Sequence, residues 1–229
     1  MDIIGFIGVY DKTDLLINVA KILTTMKKRV LIVDTTIEQK TKYVVPAINP
    51  TASYVTNFEE FDVAVGFNNL EQIKQYLGDD ELQYDIVLVN VDFVEALGKF
   101  EILKAKRNFF VTGFDLYSLK KGLEILNSLN ETVNLTKILF GIDKISEGNE
   151  YLNFLSANYR IDWNSIEIIV PIELENLAAC MNNQRIQKIK FSNFTVQYKD
   201  ALIFITQEIL GESTDSTIRR IVKMIEKGA

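Results

Sequence analysis

Apolar residues open the chain, with Ile3, Ile4, Phe6 and Ile7 in a run broken only by Gly5. A short polar turn follows over residues 8–13. The spacing then changes: Leu15, Leu16, Val19, Ile22, Leu23 and Met26 recur with the period of a helix that buries one side. After Arg29, residues 30–33 are apolar again and end at Asp34. The pattern predicts strand, loop, helix and strand. The same reading predicts further strands over 61–66, 84–91, 107–112, 137–142 and 166–170. It predicts helices over 69–77, 93–103, 115–129, 148–159 and 198–210, and one beginning at 174. Residues 35–56 carry Pro46 and Pro50 and no sustained period, so they read as loop, with a short helix or strand near 43–45. Ile86, Val87, Leu88 and Val89 are continuously apolar, as a strand covered on both faces should be. Strands alternating with helices predict an α/β fold in three layers, a mostly parallel central sheet with helices on both faces.

The end of the chain reads differently. Residues 211–217 are a polar linker. Beyond it Ile218, Ile221, Val222 and Ile225 share one helical face, and Arg219, Arg220, Lys223 and Lys227 surround it. The predicted organisation is a domain over 1–211, then a linker and amphipathic helix over 212–229. Two uses fit such a helix. It can dock on protein, its own domain or a partner, or it can lie on a membrane surface with its basic side toward anionic lipid.

Composition narrows the chemistry. With 229 residues, 48% of them hydrophobic, the chain can build one sizeable core. Its net charge is −6 and no basic run stands out, so no dedicated nucleic-acid surface is expected. Histidine is absent, which removes imidazole catalysis and the common zinc sites. Cys180 is the single cysteine, so a disulfide framework is impossible, and it reads as a small core residue. No signal-peptide pattern and no apolar run of membrane-spanning length occur, so a cytoplasmic location is expected.

The candidate chemistry lies in the first loop. It brings a helix N-terminus beside the C-terminal end of a buried strand, where free N–H groups attract anions. Lys12 and Thr13 stand at that N-terminus after Gly8. They also suit the plain opening of a helix, capped by Asp11 or Thr13. In order and spacing the stretch resembles the deviant phosphate loop of the MinD/ParA family of P-loop ATPases. Lys12 and Thr13 fall on that family's Lys-Thr pair and Gly8 on its first loop glycine. The resemblance implies ATP and Mg2+ as cofactors, with Gly8, Asp11, Lys12 and Thr13 around the phosphates. It implies Thr13 and Asp34 near magnesium, and Lys12 and Asp34 in any hydrolysis. The hydrophobic strand that ends in an aspartate in the family ends here at Asn90. Asp143, with Lys144, follows a later strand where the family reads the base, and Glu173 follows Pro171 in a segment beside the base pocket.

Three departures bear on activity. The family's signature lysine falls at Ile7, its second glycine at Val9, and the glycine before the Lys-Thr pair at Asp11. A carboxylate about 4 Å from a phosphate charge costs about 4 kcal/mol at an effective dielectric near 20. If Asp11 points inward it competes for Lys12; if outward, its Cβ still stiffens the turn. The loop is therefore expected to be weakened or internally filled, and ATP turnover slow or absent. The resemblance then implies a scaffold or spatial positioning factor for a larger assembly, such as a secretion, pilus or partition apparatus. Such a protein would act as a homodimer with protein partners, possessing a peripheral membrane contact through 217–229 if the tail is used that way. A working ATP-dependent dimerising switch and a nucleoid-associated partition protein are the alternatives.

Overall fold

The computed structural model describes residues 1–48, 51–127, 129–141, 146–211 and 215–228. In chain order the elements are β1 (Asp2–Ile7), α1 (Thr13–Thr25), β2 (Val30–Asp34), α2 (Thr41–Val44), β3 (Tyr54–Phe58), β4 (Phe61–Val65) and α3 (Leu70–Leu77). There follow β5 (Ile86–Val91), α4 (Val94–Lys99), β6 (Arg107–Thr112), α5 (Leu116–Leu126), β7 (Val133–Gly141) and α6 (Ser146–Ser156). The last are β8 (Ile161–Pro171), α7 (Leu174–Ile186), α8 (Val196–Leu210) and α9 (Asp215–Glu226).

Among the described residues the strands form one sheet in the order β3-β4-β2-β5-β1-β6-β7-β8. Every neighbouring pair is parallel except β3 and β4. The α/β prediction is met. The first strand lies at the centre, and β5 is inserted between β1 and β2: Phe6 pairs with Asn90, and Asn90 pairs with Asp34. That insertion brings the ends of three strands to one place. Side chains alternate across the sheet as the period of two requires. Ile4, Phe6, Ile32, Leu88 and Phe109 face a layer built by α1, α8 and α9. Ile7, Val33, Val89, Val91 and Phe110 face the layer of α3, α4, α5 and α6.

Several predicted boundaries move. The edge strand β3 begins inside the stretch read as loop and runs beyond it to Phe58. It joins β4 through Glu59 and Glu60, both at positive φ (49° and 72°), a conformation that glycine or asparagine usually signals. Both β7 and β8 begin earlier than predicted, because their first turns alternate polar and apolar residues rather than running apolar. The stretch read as one helix over 93–103 is α4 followed by a separate 3-10 turn, Ile102–Lys104, with Glu101 at φ 57° between them.

Helix α9 lies on the domain itself. Ile218, Ile221, Val222 and Ile225 are buried in the core layer shared with α1 and α8. Ion pairs Lys199–Glu226 and Arg219–Asp200 tie α9 to α8. Of the two uses open to the tail, docking on its own domain is the one the structure adopts. No described helix is long and apolar enough to cross a membrane.

Candidate functional site

The loop between β1 and α1 turns at Gly8, whose φ of 140° leaves no room for a side chain: an added Cβ would collide with the carbonyl oxygen of Val111 on β6. Gly8 N–H donates to the Val91 carbonyl at 2.9 Å, which fixes the loop over the end of β5. Helix α1 then starts with no side-chain cap from its Ncap residue, Lys12. Asp11 takes that part instead, its Oδ1 accepting from Thr13 N–H at 3.1 Å. Its Oδ2 accepts from Lys40 Nζ at 2.9 Å. Asp11 therefore points along the loop toward Thr13 and Lys40. Burial alone would raise its pKa, but Lys40 and the Thr13 N–H hold it below the usual carboxylate value.

Lys12 is buried, and its Nζ donates to the Gly8 carbonyl at 2.6 Å. Burial pushes its pKa down to about 8, while Asp92, Asp34 and Asp11 act against the shift. Asn90 is 2% exposed, and its side-chain Oδ1 has no partner among the described residues. A buried polar atom left in this way calls for a bound donor. Lys12, Thr13, Asn90, Asp11, Lys40 and Asp92 line one cleft of about 70 Å3, with Thr36 and Glu38 at its rim.

The predicted site residues divide. Asp11, Lys12, Thr13 and Asn90 converge on this cleft, over the turn at Gly8. Asp34 is buried behind it and committed elsewhere: it accepts from Thr36 N–H and hydroxyl at 3.1 and 2.6 Å, and from Thr41 N–H and hydroxyl at 3.1 and 2.5 Å. Glu173 lies apart, in an apolar cleft of about 340 Å3 on the other side of Tyr10. Its Oε2 accepts from Asn176 Nδ2 and Thr195 Oγ1 at 2.9 and 2.6 Å, joining the starts of α7 and α8. Tyr10 stacks on Phe140 at 4.6 Å between the two clefts. Asp143 and Lys144 lie outside the described residues. Cys180 lines the apolar cleft, its thiol pushed up to about 12 by burial, so it is no nucleophile near neutrality. Ile7, where the resemblance expects a lysine, is fully buried in the core.

Sequence reasoning missed Lys40 and gave Asp92 no role. Asp92 accepts from Ile37 N–H at 3.1 Å, and burial raises its pKa. Both belong to segments whose periodicity carries no signal. Only the sheet order, which puts the loop after β2 across β5 from the loop after β1, brings them to Lys12.

The arrangement fits the polyphosphate of a nucleotide in its cradle: a glycine turn and a buried lysine at a helix N-terminus, where first-turn N–H groups have no intrahelical acceptor. It fits magnesium less well, because Asp34 has its lone pairs taken and Asn90 offers a neutral oxygen where a carboxylate would hold the ion. Among the described residues no cluster of acidic side chains is built to hold a metal by itself.

No protein-family model matches the sequence, and no curated protein matches it. Solved structures do match in shape. A MinC:MinD cell division protein complex from Aquifex aeolicus is 14% identical, with 93% of this chain and 97% of that chain covered at a TM-score of 0.61. A ParA family ATPase from Chlorobium tepidum is 13% identical, with 97% and 96% covered and a TM-score of 0.57. An McdA–ATP complex from Cyanothece is 12% identical, with 93% and 98% covered and a TM-score of 0.57. At these identities the likeness establishes the architecture: the chain has the fold of the MinD/ParA P-loop ATPases.

Proposed function

We propose that this protein binds the polyphosphate of a nucleotide at the loop over residues 8–13, hydrolyses it slowly or not at all, and serves as a positioning factor for a larger protein assembly. The observation that carries the reading is the state of Asp34. Its four hydrogen bonds among the described residues all hold the loop after β2 and occupy both carboxylate oxygens. Asn90 and Ile7 remove the other charges that hydrolysis on this fold would use. Lys12 would neutralise phosphate, Thr13 would be the residue to hold a magnesium ion brought in with the nucleotide, and the unpartnered Asn90 Oδ1 would accept from a bound water. Glu173, beside Tyr10 and Phe140, borders the cleft into which a base would extend; Asp143 is the further base-reading candidate. ATP, when bound, supplies the negative charge that the loop is shaped to receive. The Cyanothece neighbour was solved with ATP, which supports this choice of ligand.

A protein partner is supported by apolar residues at the same end of the sheet. Leu174 and Met181 on α7 and Tyr117 on α5 are 81%, 66% and 69% exposed. A second copy of the chain, facing the cleft, would cover them. The Aquifex neighbour is a complex of MinD with MinC, a precedent for a further protein on this fold. Membrane docking through 217–229 would require α9 to release four buried apolar residues, so we assign the tail to the domain. The acidic balance, at net charge −6, weighs against a DNA-binding role. The decisive assay is phosphate release from magnesium-ATP by purified protein. Release at background rate is expected, and robust release abolished in Lys12→Ala would overturn the reading.

A further inference from the structure

Asp11 stands in the phosphate loop as an acidic residue, and its two oxygens do two different things. One occupies the Thr13 N–H, a donor at the start of α1 that a phosphate would otherwise use. The other pairs with Lys40, which reaches the loop from the start of α2. We infer that Asp11 is an internal occupant of the loop's anion site, and that Lys40 is a second polyphosphate-binding cation held in reserve by Asp11 until a ligand displaces that carboxylate. The inference rests on the proposed nucleotide binding and adds to it the residue that regulates it.

Four features support the exchange. First, Lys40 lines the same cleft as Lys12 and Thr13, so a phosphate between them lies within reach of both amines. Second, the Lys40 and Asp11 side chains are 54% and 48% exposed. An ion pair as wet as this is weakly held and exchanges partners readily. Third, the backbone under Lys40 is fixed. Asp34 binds Thr36 and Thr41 on either side of it, and Asp92 binds Ile37, so only the side chain must swing. Fourth, the cleft contains a feature that Asp11 does not satisfy, the buried and unpartnered Oδ1 of Asn90. The internal occupant fills the mouth of the site and leaves its floor open. A polyphosphate carries several anionic oxygens and brings bound water, so it can replace Asp11 at Thr13 and Lys40 and supply a donor to Asn90. In the relatives' loop as the resemblance gives it, a glycine stands at this position and no such competition exists. Lys40 also offers, within one chain, a cation that Ile7 cannot.

The test is calorimetric titration of tripolyphosphate, and separately of magnesium-ATP, into wild type, Asp11→Asn, Asp11→Gly and the double variant Asp11→Asn/Lys40→Met. Asparagine keeps an acceptor for Thr13 N–H while removing the charge, so the loop should still fold; circular dichroism checks this, and Asp11→Gly gives an independent second removal. Asp11→Asn and Asp11→Gly are expected to bind at least tenfold more tightly than wild type, and Lys40→Met to cancel most of that gain. Equal or weaker binding by both single variants would overturn the inference while leaving nucleotide binding intact, and so would a gain that survives in the double variant. Absence of binding by all four proteins would overturn both.

Discussion

Asp34 and Thr41 are joined twice, the carboxylate accepting from the Thr41 N–H at 3.1 Å and from its hydroxyl at 2.5 Å. This pair makes Asp34 the N-terminal support of α2 and the anchor of the loop that carries Thr36 and Lys40. Asp34→Ala should therefore act on stability before it acts on any chemistry. It strands several buried donors, and a loss of about 3 kcal/mol in urea denaturation is expected. An unchanged urea midpoint would mean that Asp34 is held for chemistry rather than structure.

Gly8 gives a second stability prediction. Its left-handed φ and the Val111 carbonyl leave no room for a methyl group, so Gly8→Ala must shift β6 or the loop. A cost of about 2–3 kcal/mol is expected from the strain, read from the same urea titration. Polyphosphate binding should fall with it, because the turn that seats Lys12 Nζ on the Gly8 carbonyl would shift.

Lys12 sets the pH dependence. Its pKa is lowered to about 8 by burial against the pull of Asp92, Asp34 and Asp11. The lowered pKa makes folding release a proton between pH about 8 and the ordinary lysine value near 10.4, so wild-type stability from this group rises with pH across that window. Lys12→Met should be more stable than wild type below pH 8, with the difference closing as pH approaches 10. Binding runs the other way. An anion needs the charged amine, so wild-type affinity for tripolyphosphate should fall about tenfold per pH unit above 8. An affinity flat from pH 7 to 10 would show that Lys12 does not contact the ligand.

The fourth prediction concerns the tail. Ile218, on the inward face of α9, is fully buried. Ile218→Ala should destabilise the whole domain by about 2–4 kcal/mol in a single cooperative transition. Wild type should stay with the soluble fraction when anionic vesicles are floated. A separate low-temperature transition for the tail, or flotation that depends on residues 217–229, would contradict its assignment to the core.

Much of this fold was legible because its signals are local. The apolar run ending at Ile7, Gly8, and the helical spacing from Leu15 to Met26 define the first strand, loop and helix without any long-range information. So does the continuous apolar stretch of β5. Glu59 and Glu60 defeated the reading of β3, since nothing in two glutamates announces a tight reversal. The tail's apolar face was plain from Ile218, Ile221, Val222 and Ile225, but a pattern of this kind specifies burial without naming the surface that provides it. The site was half legible. Lys12, Thr13 and Asn90 followed from position relative to their strands. Lys40 did not, because it acts from a neighbouring loop whose place depends on sheet order. Asp34 was legible as a position, but its bonds to Thr36 and Thr41 were not, because they depend on a loop with no periodic signal.

The insertion of β5 between β1 and β2 has a consequence for synthesis. Asp2 and Ile86 are ladder partners, as are Val30 and Ile86. When the first loop and its helix leave the ribosome, neither flanking strand has a neighbour to hydrogen-bond, and closing that span costs chain entropy before any pairing rewards it. The loop's shape is thus a late product of translation: β2 can already pair with β4, but until residues 86–91 emerge β1 has no partner strand and its apolar residues stay exposed, the state in which a folding chaperone would find most to hold.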